Sequence, residues 1–325
     1  MIFVDPITKH SLLQSCNGDL EGGTTLYNTL SENKSIYNFL ADMNVVSQDE
    51  SVQSALREYS SKESLLRYRN FLDWLFETLN SNEKDFRLDL IDRLELAPGQ
   101  RVLITSCGLG EEIGLISEDL FSSIELHAQD LSKDLVLEAF ARNLPRSKDV
   151  TFTVSNAMQL PYSDSTFDRV LHFGGINQFT SIKGGIAEMS RVCKVGGKVL
   201  FGDEGISPNL KETKLYKMLV NNNILWCSTA PIHKLPTTAI NIKLEYILCN
   251  CFWLLEFRKS KDEPPVNIDV PHKGLRGGTV RTRYDGAIEG IDPQLREKVY
   301  NYAKTSGISV SDLTQEAIEA FIKDS

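Results

Sequence analysis

Between Arg101 and Glu204 the chain alternates short apolar runs with helical stretches, and this alternation limits the fold more than any other feature. VLITS ends at a glycine loop, GEEIGLISEDLF is helical, IELHAQ is a second strand and SKDLVLEAFARNL a second helix. VTFTVS, RVLHFGG and KVLFGDE are three further strands. Before the last of them, SIKGGIAEMSRVCKV carries Ile182, Ile186, Met189 and Val192 at helical spacing. Strands joined by helices of this length form a parallel sheet covered on both faces, so the expected class is α/β.

The flanks read differently. Residues 1–45 are expected to be short strands and turns, with turn signals at Asp5-Pro6, Asn17-Gly18 and Gly22-Gly23. From Ser61, Leu65, Tyr68, Leu72, Leu75, Phe76 and Leu79 share one helical face. A second helix near Phe86–Leu94 stops before Pro98-Gly99. After Pro208 the alternation ends. NIKLEYIL and FWLLEFRK read as an antiparallel pair on the sheet edge. KSKDEPPVNIDVPHKGLRGGT reads as loop, and two helices separated by Ser306-Gly307 close the chain. The expected domains are a small β-rich N-terminal cap (1–50), a central domain (51–260) with an insert at about 208–244, and a loop plus helical C-terminal extension (261–325).

The formal net charge of −9 argues against nucleic acid as the main partner, because phosphates need a basic face. The six cysteines include no CxxC pair; Cys249 and Cys251, two apart in an apolar run, are expected to point the same way on a strand, and all six are read as buried, reduced thiols. The N-terminus MIFVDPITKH has no basic segment followed by an apolar one, and the chain has no stretch of about twenty uncharged apolar residues. No signal peptide and no membrane partner are expected, and the expected location is cytoplasmic.

Four stretches carry chemistry. SCGLGEE lies between a strand and a helix, where Gly108 and Gly110 let the backbone turn tightly against a ligand. The third glycine of a dinucleotide loop is absent, since Ile113 holds that position. Asp130 ends the next strand, where its carboxylate can accept from both hydroxyls of a ribose or cap the following helix. Asn156 follows the third strand, where an amide can read an adenine edge. Lys194, Gly196 and Gly197 make a tight connection into the fifth strand.

In this order and spacing, across roughly Arg101 to Glu204, these stretches resemble class I S-adenosylmethionine-dependent methyltransferases, nearest the ubiquinone and menaquinone methyltransferase subgroup. The resemblance implies a Rossmann-like seven-stranded, mostly parallel sheet with helices on both faces. It implies S-adenosylmethionine across the strand tips, with S-adenosylhomocysteine as product. By it, Ser106, Gly108 and Gly110 would form the methionine side, Asp130 would hold the ribose, Leu131, Asn156 and Ala157 would flank the adenine, and Phe173 and Gly174 would lie near the sulfonium. The chain departs from the pattern at Ile104, where an acidic residue is usual, at Ser106 (usually glycine), at Asn156 (usually aspartate) and at Val195 (usually proline). With Ile104 apolar, cofactor binding would be weaker, or Glu111 or Glu112 would substitute, or the protein would be an inactive homologue. The N-terminal segment resembles a zinc-ribbon-like module without its metal positions, so no metal is expected. Tyr59 or Tyr68, before the first strand, would reach the cofactor.

Methyl transfer to a hydroxyl or amine needs a base. Among five histidines, His127 and His172 lie on strands and read as structural, while His233, in APIHKLP after the fifth strand, is the candidate base, followed by Glu204. The apolar insert (Leu219, Val220, Ile224, Leu225, Trp226, Ile232, Leu235) suits either core packing or a pocket for a small, partly apolar or aromatic acceptor of specialised metabolism, with O- or N-methylation favoured. HKGLRGGTVRTRY, with Lys273, Arg276, Arg281 and Arg283, leaves RNA methylation as the alternative. Acidic residues follow at once, so a salt-bridged tail or an arm forming a homodimer is the favoured role of the C-terminal extension.

Overall fold

The computed structural model describes residues 2–15, 18–22, 25–30, 35–40, 50–58, 61–273 and 277–323. Cys16, Tyr59 and Arg276 lie outside them. The chain divides into two compact units, Met1–Pro264 and Pro265–Ser325.

The first unit opens with a small antiparallel sheet of β1 (Leu13–Gln14), β2 (Leu20–Gly22) and β3 (Thr25–Tyr27). The next strand, β4 (Ile36–Asn38), joins the main sheet instead. Three helices follow: α1 (Glu50–Glu58), α2 (Lys62–Thr78) and α3 (Glu83–Arg93). Side-chain caps start two of them. Ser61 Oγ accepts the Ser64 N–H at 3.1 Å, and Asn82 Oδ1 accepts that of Asp85 at 3.0 Å.

The alternating segment forms β5 (Arg101–Thr105), α4 (Glu111–Leu115), α5 (Glu118–Phe121), β6 (Glu125–Asp130), α6 (Lys133–Arg142), β7 (Thr151–Val154), β8 (Phe167–Phe173), α7 (Ile182–Val192) and β9 (Cys193–Glu204). The stretch read as one helix, GEEIGLISEDLF, is two, because Ile116 is extended (φ −63°, ψ 132°) and Ser117 restarts the turn. The insert holds a helix, α8 (Lys214–Asn222), and ends earlier than expected, since β10 begins at Ala239 and runs to Ile247. β11 (Phe252–Lys259) pairs antiparallel with both β10 and β9.

The main sheet runs β10-β11-β9-β8-β5-β6-β7-β4. It contains the seven expected strands, all parallel except β11, which runs against both of its neighbours. The eighth, β4, pairs Ile36 with Phe152 and Asn38 with Val154, covering what would be an open edge. A three-residue strand has too little periodicity to announce itself in sequence.

Both faces of the sheet are buried, which is why VLITS is continuously apolar. Val102 and Ile104 join Leu90, Ile113, Val136 and Leu171 on one side. Leu103 joins Val170, Phe201, Ile186 and Met189 on the other, together with Phe3, Leu12, Leu20 and Phe39 of the N-terminal segment. The thiols only partly follow expectation. Cys107, Cys193 and Cys251 are buried, but Cys227 and Cys249 are exposed. Cys249 lies in the β10–β11 turn, where Leu248, Cys249 and Asn250 all have positive φ, so it is not on a strand.

The second unit holds α9 (Val280–Asp285), α10 (Pro293–Ser306) and α11 (Val310–Lys323). Gly307, at φ +70°, ends α10 where Ser306-Gly307 was read as a break. α9 was not anticipated. It is a six-residue helix held by a reciprocal Thr279–Thr282 capping box, too short to show a repeat.

Candidate active site

The ends of β5, β6, β8 and β9 open on a cavity of about 440 Å³, roofed by residues of α1, α2 and α3. Such a crevice at the carboxyl ends of parallel strands is where α/β sheets bind ligands. The backbone after β5 turns sharply. Ser106, Gly108 and Gly110 have φ of +49°, +53° and +73°. The two glycines serve different ends. A Cβ on Gly108 would come within 2.9 Å of the Tyr68 hydroxyl at the cavity wall, whereas one on Gly110 would meet Asn143 Nδ2 at 2.9 Å and Ala139 Cβ at 3.1 Å, on α6 and just beyond it. Gly110 is therefore a packing glycine, away from the cavity lining.

Asp130 ends β6 and turns its carboxylate under this loop. Oδ2 accepts the Gly108 N–H at 3.0 Å and Oδ1 the Ser132 N–H at 2.9 Å. The helix cap is Ser132, whose Oγ accepts from Leu135 N at 3.2 Å. Burial pushes the Asp130 carboxyl up to about 6, against the pull of its backbone donors. Each oxygen keeps lone-pair capacity for a further donor, which suits a diol. On the far side of β7, Asn156 Oδ1 accepts the Met158 N–H at 2.9 Å, so its amide N–H is the group left to offer.

The cavity floor is aromatic. Phe76, Phe86, Phe173 and Phe252 form a continuous run, with successive ring centroids 5.6, 4.8 and 5.7 Å apart. Glu204 stands at its rim, at the end of β9. Its backbone carbonyl accepts Asn177 Nδ2 at 2.7 Å and Trp253 Nε1 at 3.1 Å. Asp203, fully buried beneath it, accepts the N–H groups of Asn177 at 2.7 Å and Glu204 at 2.9 Å. Burial and the neighbouring Glu204 charge push the Asp203 carboxyl up.

This strand order, with the carboxylate of β6 bonded to the glycine loop of β5, decides the class of the core. Residues 80–219 match the family model described as the ubiE/COQ5 methyltransferase family. This core is a class I methyltransferase domain. Demethylmenaquinone methyltransferase of Alkalihalophilus pseudofirmus is 31% identical over 118 residues, 36% of this chain and 50% of that protein. The corresponding enzyme of Geobacillus sp. is 27% identical over 145 residues, 44% of this chain and 57% of that one. The chain thus spans about half the length of the curated relatives it matches. Phosphoethanolamine N-methyltransferase 2 of Haemonchus contortus, solved with S-adenosyl-L-methionine, shares the fold at a TM-score of 0.50 and 16% identity, over 66% of this chain and 60% of that one. S-adenosylmethionine is the cofactor of the class.

The methyltransferase core gathers most of the residues singled out in sequence. Ser106, Gly108, Asp130, Leu131, Asn156, Ala157, Phe173, Gly174 and Glu204 all line the cavity, as does Tyr68. Gly110 and His233 do not. His233 is exposed in a single turn, Ile232–Lys234, that follows Pro231. His127 and His172 are buried, and burial holds both imidazoles neutral, His172 down to about 4. Sequence reasoning missed Arg87 and Gln178, which lie in the lining. The sequence placed a helix near Phe86–Leu94 but gave no reason to single out the charged residue at 87. Arg281 pairs with Asp269 at 2.7 Å, and Arg283 donates to the Gly277 carbonyl at 2.7 Å, so two of the basic residues near the C-terminus are engaged within their own unit. Among the described residues no helix is long and apolar enough to cross a membrane.

Proposed function

We propose that the protein transfers a methyl group from S-adenosylmethionine to a small, partly apolar or aromatic acceptor. The observation that carries this reading is Asp130, buried, bonded to the Gly108 N–H and facing a cavity with an aromatic floor. The residues fit the cofactor. Asp130 suits the ribose hydroxyls, the Asn156 amide suits an adenine ring nitrogen, and Gly108 lets the loop backbone pack against the Tyr68 hydroxyl at the cavity wall. Bound there, S-adenosylmethionine supplies an electrophilic methyl group.

The chain's own residues do the rest by placement and proton transfer. Phe173 and its aromatic neighbours exclude water and favour a flat, apolar acceptor. A quinone-type ring, of the kind named for the demethylmenaquinone methyltransferases, belongs to this class. Glu204, at the rim, is placed to take the proton of an acceptor hydroxyl or amine. His233 is exposed and does not line the cavity, which favours Glu204 for that role.

The test is to incubate the protein with methyl-labelled S-adenosylmethionine and a panel of phenols, quinols and aromatic amines. Label in an organic product, with matching S-adenosylhomocysteine, is the expected result. A protein that binds the cofactor yet methylates nothing in the panel, nor any RNA, would favour a non-catalytic adenosyl-binding role.

A further inference from the structure

The methionine end of the cofactor brings an ammonium into a buried cleft, where a charge needs a partner. At the end of β5, where the resembling enzymes usually have a carboxylate, this chain has Ile104, buried among apolar residues. The cavity wall nearby holds an ion pair instead. Arg87, from α3, and Glu112, from α4, both line the cavity, are 8% and 4% exposed, and bond to each other through Nη1 and Oε1.

Behind them lies a larger network. Arg87 also donates to Glu83 at 2.9 and 2.8 Å and lies 3.9 Å from Glu111. Arg69 pairs with Glu83 and, at 3.4 Å, with Glu111. Arg69 also pairs with the more exposed Asp73, so two guanidinium groups face four carboxylates, Asp73 and the three glutamates, which leaves negative charge in surplus. Burial pushes the Glu111 carboxyl up, and the neighbouring Glu112 charge adds to the effect, consistent with that surplus. Of these three glutamates only Glu112 reaches the cavity. The cavity's other carboxylates are elsewhere: Asp130 under the glycine loop, Glu204 at the β9 rim and Glu58 exposed on α1.

We propose that Glu112, held in place by Arg87, receives the α-ammonium of the cofactor's methionine end and so replaces the carboxylate missing at position 104. This rests on the methyltransferase reading above. Glu112 is the binding group and Arg87 a positioning residue. Glu111, the alternative that sequence left open, faces away into the network.

Calorimetric titration with two ligands tests it. S-adenosylhomocysteine carries the amino-acid end, and 5′-methylthioadenosine lacks it. Glu112→Gln keeps an oxygen for Arg87 but loses the charge. It is expected to weaken S-adenosylhomocysteine about tenfold or more, the share of one charged hydrogen bond, while 5′-methylthioadenosine changes by less than about twofold. Equal loss of both ligands, or no loss of either, would overturn the assignment alone. A wild-type protein that binds neither overturns the methyltransferase reading and the assignment with it. A second measurement needs no variant. On wild-type protein, the analogue of S-adenosylhomocysteine lacking the α-amino group should bind about tenfold more weakly, and equal affinity overturns the proposal.

Discussion

The carboxylate of Asp130 accepts the backbone N–H of Gly108 at 3.0 Å, tying the end of the second central strand to the glycine loop of the first. Burial raises this carboxyl from 3.8 to about 6. A raised carboxyl means that the fold favours the protonated form. The stability it contributes is therefore greatest at low pH and is lost as pH rises from about 4 to 6. Ligand binding runs the other way, because ribose hydroxyls donate best to the ionised form. Affinity for S-adenosylhomocysteine is expected to be flat above pH 6 and to fall by up to about tenfold per pH unit below it. Calorimetry between pH 5 and 8, with Asp130→Asn as the pH-insensitive control, measures this. A flat profile in wild-type protein would remove Asp130 from the ribose.

Gly108 and Gly110 should separate under substitution. Both have left-handed φ, so alanine strains each by about 1 kcal/mol or more. Gly108→Ala also drives a methyl against Tyr68 at the cavity wall and should weaken cofactor affinity. Gly110→Ala presses on Asn143 and Ala139 and should lower thermal stability more than affinity. Paired melting curves and titrations decide the matter.

Ser106 holds φ +49° with a side chain, a conformation glycine adopts freely. Ser106→Gly is expected to stabilise the protein by up to about 1 kcal/mol, a rise of roughly 2 °C in Tm. An unchanged or lower Tm would mean that contacts of the serine offset its backbone strain.

Glu204 and His233 were both candidates for the base, and only Glu204 reaches the cavity. Once an acceptor is known, Glu204→Gln should lower kcat by about a hundredfold or more and leave S-adenosylhomocysteine affinity intact. His233→Ala should leave both unchanged. Steady-state kinetics of the two variants would reverse the assignment if His233→Ala were the damaging one.

Much of this was legible in sequence because the core alternates strands and helices with periodicities that sequence displays. VLITS, IELHAQ and KVLFGDE are long enough, and apolar enough, to be read as buried parallel strands, and Asp130 stands where one of them ends. FWLLEFRK coincides with β11 residue for residue. Features made by tertiary contact were not legible. β4 is a strand only because Phe152 and Val154 offer it an edge. Arg87 sits on the same helix as Phe86, and nothing in its spacing says that α3 turns it toward Glu112. His233 looked suitable by its place after the fifth strand, but a short turn after Pro231 leaves it in solvent.

The most direct measurement is titration of wild-type protein and Asp130→Ala with S-adenosylhomocysteine. Wild-type binding on the order of micromolar, weakened about a hundredfold or more by the substitution, is the expected result. Wild-type protein that stays unbound at millimolar ligand, or an Asp130→Ala variant that binds as well as wild type, would contradict the placement of the cofactor in this cleft.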